Sequence, residues 1–229
     1  MRREVDRGFK RLRNSAILAT VSSAIFALLS LLGKAAGEPT ASILAELLVL
    51  AGLIIVAGLA ALILSLASWI YKVLGWSDMC RSGIRRFYCV TRLAVLIGPI
   101  AGALLILGGV LILSLELITR GAVTPPPVEG YGWGRLLTGL RWPFLAGIIL
   151  MASANVIEGV AILDIGFLTQ AKLLIAGSVV YLISAGLSPL ALLSGQLEGL
   201  SSLVSIAAYM LLAAGFHGTR WEGGWHEAK

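Results

Sequence analysis

Two basic clusters constrain this chain more than any other feature. The first is N-terminal, MRREVDRGFKRLR, with Arg2, Arg3, Arg7, Lys10, Arg11 and Arg13. The second is the polar stretch 76–92, with Arg81, Arg85, Arg86 and Arg92. Long, almost wholly apolar runs lie between them and after them. Carrying these charges through hydrocarbon is costly, so both clusters are expected to stay on the cytoplasmic side of a membrane. The sequence between them must then cross and return.

Composition agrees. Only 13% of the 229 residues are charged and 58% are hydrophobic, with a mean hydropathy of +0.93. Soluble domains carry roughly 25% charged residues, so a water-facing surface could not be covered. The net charge of +6 flanks apolar spans and therefore suits topology and anionic lipid head groups rather than nucleic acid.

A span needs about 20 mostly apolar residues. Six segments meet this, at about 15–33, 43–71, 93–118, 142–167, 172–193 and 197–216. With the N-terminus inside, the cytoplasmic segments hold fourteen basic residues and the outer ones four (Lys34, Arg120, Arg135 and Arg141). The expected fold is an all-α polytopic bundle of six transmembrane helices in one membrane domain of the cell membrane, with both termini cytoplasmic. No cleavable signal peptide is expected ahead of the first span. Trp69, Tyr71 and Trp76 read as an aromatic belt at the end of the second span. Gly98-Pro99 predicts a kink in the third.

Cys80 and Cys89 fall in the proposed cytoplasmic loop. Their spacing fits no common zinc site, and they read as free structural thiols or as sites of lipid attachment. Stripes of small residues (Ala16, Thr20, Ser23, Ala27, Ser30; Gly58, Ala61, Ser65, Ser68; Gly98, Gly102, Gly109) predict close helix packing, within the chain or between copies.

An ionisable group inside a bilayer is a functional candidate, and Glu158 is the best one here. Counted from Trp142 it lies about 24 Å along its helix, in the inner third of a core about 30 Å thick. It shares a helical face with Gly147, Met151, Asn155, Gly159, Ile162 and Gly166. No Lys or Arg lies deep in a proposed span, so Glu158 is expected to be protonated and hydrogen-bonded, or open to a water-filled cavity. Tyr181, Ser184, Ser205 and Tyr209 are its candidate neighbours. Glu46, Glu116 (paired with Arg120), Asp164 and Glu198 read as interfacial.

Gly and a large apolar residue with basic residues following precede the first, third and fifth spans, at Gly8-Phe9, Gly83-Ile84 and Gly166-Phe167. Either three like-oriented hairpins or chance similarity of membrane approaches accounts for this. The GFKRLRNSAI approach, the RSGIRR approach before a Gly-rich span, and the Gly- and Ser-rich final pair resemble an uncharacterised archaeal family of small multi-pass membrane proteins. The likeness covers most of the chain, and it implies a membrane fold but no activity.

Enzyme classes fail on residues. His217 and His226 are the only histidines, which leaves no H-E-x-x-H motif and no intramembrane histidine. The aspartates Asp6, Asp78 and Asp164 are too few for a lipid phosphotransferase. No metal or cofactor is expected. The function read first is a structural or interaction subunit, contacting membrane lipid and either further copies of itself or another membrane protein. The alternative is a small transporter or channel with a proton or cation site at Asn155 and Glu158.

Overall fold

The computed structural model describes residues 2–35, 44–119, 142–193 and 197–219, and the statements below concern these. They form six helices: α1 Arg2–Ala35, α2 Leu44–Arg81, α3 Phe87–Thr119, α4 Trp142–Leu168, α5 Lys172–Leu193 and α6 Leu197–Gly218. All six contain a stretch long and apolar enough to cross a membrane. The chain is a multi-pass, all-helical membrane protein. The stretch 120–141 between the third and fourth expected spans, the tail after Thr219 and the Glu116–Arg120 pair lie outside the described residues or side chains.

The helices alternate in direction and close into a ring. Each packs on its chain neighbours, and α6 returns to α1. Within it the three hairpins α1–α2, α3–α4 and α5–α6 are the most extensively packed pairs, and the α2–α3 seam is the thinnest. Small residues make the tight pairs possible. A Cβ on Gly147 would stand 2.6 Å from the Gly102 carbonyl oxygen, and one on Gly98 would meet the Ala154 Cβ at 2.5 Å. Between α1 and α2, Ser22 Oγ donates to Ala61 O at 2.9 Å, and Ser68 Oγ donates to Ser15 O at 2.9 Å. This contact face of α1 is turned from the expected stripe: Ser15 and Ser22 meet α2, while Thr20 bonds its own helix at Ala16 O. Ser22, Ser23 and Ser68 also line a chamber within the ring.

Three expectations need correction at the end where the charges gather. The polar stretch 76–92 is mostly helix, and the reversal is confined to residues 82–86. Gly83 turns the chain there with φ +70°, and its N–H bonds Cys80 O at 3.2 Å. Glycine adopts this left-handed conformation without the Cβ clash that other residues meet. Trp76 is not in an interfacial belt. It points into the ring and is fully buried, because α2 continues ten residues beyond the expected end at Tyr71. Cys80 and Cys89 are not free thiols: they are joined in a disulfide, with Cα atoms 4.6 Å apart. Their nine-residue separation straddles the helical reversal, which brings the two together.

The N-terminal basic segment is also helical and docks on this end. Val5, Phe9 and Leu12 are buried on one face. Arg11 Nη1 bonds Asp78 Oδ2 at 2.7 Å, and Arg13 Nη1 lies 3.0 Å from His217 Nδ1. Phe9 meets Phe216 with ring centroids 6.0 Å apart. This end, with the N-termini of α1, α3 and α5 and the C-termini of α2, α4 and α6, is called the basic end below.

Gly147→Ala is expected to destabilise the protein by about 1–3 kcal/mol, since its methyl group would press on a backbone carbonyl that cannot step aside. Gly58→Ala, with nothing within 4 Å of the added atom, is expected to be neutral. Thermal unfolding in detergent followed by helical circular dichroism compares the two.

Candidate functional site

α2 carries Lys72 and Trp76 one turn apart on the face that looks into the ring. α4 carries Asn155 and Glu158, α5 Tyr181 and α6 Tyr209. The four candidate residues read from sequence, Asn155, Glu158, Tyr181 and Tyr209, come together here. Tyr181 O–H lies 2.7 Å from Glu158 Oε2 and 3.2 Å from Asn155 Oδ1. Its single hydrogen belongs to the shorter, charge-assisted bond. The Tyr181 and Tyr209 rings meet edge to face at 5.6 Å.

Glu158 has the basic partner that the sequence was expected to lack. Lys72 Nζ donates to Glu158 Oε2 at 2.9 Å, and Trp76 Nε1–H donates to Oε1 at 3.2 Å. Glu158 thus accepts three donors while its side chain is 3% exposed, and that of Lys72 is 15% exposed. Lys72 also stands 5.7 Å from the centre of the Tyr181 ring and 5.9 Å from that of Tyr209, where the negative ring faces favour a cation. Sequence reading placed Lys72 in the cytoplasm because it follows aromatic residues at the expected helix end. A signal was present nonetheless. Ser65, Ser68, Trp69, Lys72 and Trp76 recur at helical spacing, so Lys72 continues a polar face rather than leaving the membrane.

Ser184 and Ser205, the other expected neighbours, bond each other at 2.6 Å across α5 and α6 instead. Asp164 behaves as an interfacial acid, accepting from Tyr88 O–H at 2.9 Å and lying 3.3 Å from Arg85 Nε. Of the arginines read as topology-setting, Arg81, Arg85 and Arg86 are exposed and Arg92 is half-buried.

The cluster has a consistent depth. Lys72 lies nine residues from Arg81, Glu158 ten from Leu168, Tyr181 nine from Lys172 and Tyr209 nine from Gly218. Each is therefore about 14 Å in from the basic end. α5 and α6, of 22 residues each, are about 33 Å long, close to the thickness of a bilayer core. The pair sits near the middle of these helices, farther from the basic end than the expected inner third.

What lies on either side of the cluster differs. Towards the basic end the ring is packed shut by Phe9, Trp76, Met79, Tyr88, Ile165 and Phe216. On the far side is a chamber of about 780 Å³, with Lys72, Asn155 and Tyr209 among its walls. Along α2 its walls run from Leu62 to Lys72, about 15 Å. A volume of this size is in the range of small-molecule sites. Glu158 does not line it; the carboxylate lies behind Lys72, which does. Among the described residues no three His, Cys, Asp or Glu side chains converge as metal ligands.

The chain matches no protein-family model, no curated protein and no solved structure.

Removing one member of a buried pair strands the other, at a cost of about 3–5 kcal/mol, whereas removing both charges is far milder. Lys72→Met is therefore expected to lower the unfolding temperature sharply, and Lys72→Met with Glu158→Gln to recover most of the loss. Differential scanning fluorimetry in detergent reads both.

Proposed function

We propose that this protein is a carrier-type membrane protein, which binds a small solute in its chamber and releases it by opening the end that is now sealed. The carrying observation is the chamber that ends on a buried ion pair at mid-depth. All three hairpins meet there, Lys72 from the first, Asn155 and Glu158 from the second, Tyr181 and Tyr209 from the third. Transporters commonly place their sites at such a meeting of structural units near the bilayer midplane. A protein serving only as a packing subunit has no need of a roomy chamber or a costly buried pair. A bare cation site at Glu158, the alternative read from sequence, is disfavoured because Lys72 already supplies the cation.

The pair acts as a latch in this reading. It joins the first hairpin to the second directly above the plug, and a solute that competes for Lys72 or shields Glu158 loosens that link. Orientation follows from charge: the basic end faces the cytoplasm. The Cys80–Cys89 disulfide lies at the same end and argues in the opposite direction, because cytosolic disulfides are rare. The charge bias sums over many residues and outweighs the single disulfide.

Spin labels at Arg7→Cys and Phe167→Cys, exposed positions at the basic end of α1 and α4, test the latch by pulsed electron resonance. The wild-type background is expected to give one distance, and Glu158→Gln to add a second, longer population. One unchanged distance in both would favour a static packing role.

A further inference from the structure

The walls of the chamber say where a ligand enters and what kind it is. α2 and α3 are held together near the basic end, by Trp69 Nε1–H donating to Val95 O at 2.9 Å, by the Trp76 and Tyr88 rings 5.9 Å apart, and by the disulfide. Farther along, residues of both helices line the chamber and are open to the outside at once: Leu62 is 61% exposed, Leu66 55% and Ile100 46%. Between these residues of α2 and α3 the chamber opens to the outside through a slot. In a membrane the medium outside this slot is lipid tails, not water. A molecule that passes through it is already dissolved in the bilayer.

The floor decides the head group. Lys72 is charge-balanced by Glu158, so the floor as a whole is neutral. The Asn155 carboxamide carries both a donor and an acceptor, and Tyr181 spends its hydrogen on Glu158. A carboxamide matches an uncharged carboxylic acid with two antiparallel hydrogen bonds, and a spare Lys72 N–H can reach the acid carbonyl. A carboxylate would add an uncompensated negative charge, and a quaternary ammonium head would find no anion, because Glu158 lies behind Lys72.

We infer that the chamber is a binding site for a single-tailed, long-chain carboxylic acid, which enters from the bilayer between α2 and α3 and docks its uncharged head on Asn155 and Lys72. The inference rests on the solute-chamber reading above and names its ligand class. The tail lies along Leu62, Leu66 and Ile100, and the depth of about 15 Å is half a bilayer core, the depth of one leaflet.

The test uses the full chain in lipid nanodiscs with hexadecanoic acid bearing a photoactivatable diazirine on its tail. Adducts are expected on the peptides that contain Leu62, Leu66 and Ile100. Excess hexadecanoic acid should suppress them, and hexadecyltrimethylammonium should not. Asn155→Leu is expected to weaken binding about thirtyfold, the worth of two hydrogen bonds. Ala103→Phe, on the wall and away from the polar cluster, should reduce adducts by obstruction, which keeps the test valid if Asn155→Leu misfolds. Adducts that excess acid does not suppress, spread over outward residues such as Leu59 and Leu107, overturn the inference. Competed adducts without the second spin-label distance would leave the site standing and remove the carrier reading. A second distance without competed adducts would do the reverse.

Discussion

A lysine and a glutamate facing each other inside an apolar ring set the terms for everything around them. Neither charge is tolerable alone at that depth, since each loses several kcal/mol of hydration. The ring therefore supplies what water would: Tyr181 O–H and Trp76 N–H to the carboxylate, and two tyrosine faces to the ammonium. These groups come from α2, α4, α5 and α6, so the pair holds the helices in register as much as the helices hold the pair. Its geometric precision depends on rigid surroundings, and these lie below it, in the dense apolar plug.

Small residues supply that rigidity at little cost. In a bilayer there is no hydrophobic gain from joining two helices, so close backbone approach and hydroxyl bonds must do so. Gly102 against Gly147 does this for α3 and α4, and Ser22 with Ser68 for α1 and α2. Among the described residues the α2–α3 seam has no such run, and it is there that the ring stands open. Tight hairpins beside one loose seam are what allows a chamber in a protein of this size. The same asymmetry gives the ring a sealed half and a hollow half, with the charges at the boundary.

Much of the fold was legible from residue type and spacing. Apolar length found all six spans, and the bounds of α4, α5 and α6 lie within about two residues of those expected, inside the usual uncertainty of helix ends. The polar face of α4 pointed to Asn155 and Glu158, and tyrosines at helical depth pointed to Tyr181 and Tyr209. Lys72 was missed for a physical reason. Basic residues after an aromatic belt usually mark the water boundary, whereas this one is followed by another nine residues of helix, with Trp76 and Met79 turned inward. Hydropathy averages along a chain and is blind to which face a residue takes. The disulfide was hidden likewise, because only the compact turn at Gly83 brings Cys80 and Cys89 to the same place.

The charged state of Glu158 is the centre of this account, and infrared difference spectroscopy reads it directly. Wild-type protein minus Glu158→Gln, in the same lipid, isolates the vibrations of that one side chain. The account predicts that the difference contains the antisymmetric stretch of an ionised carboxylate. A band from the carbonyl of a protonated acid in its place would contradict it and return Glu158 to the role of a neutral packing residue.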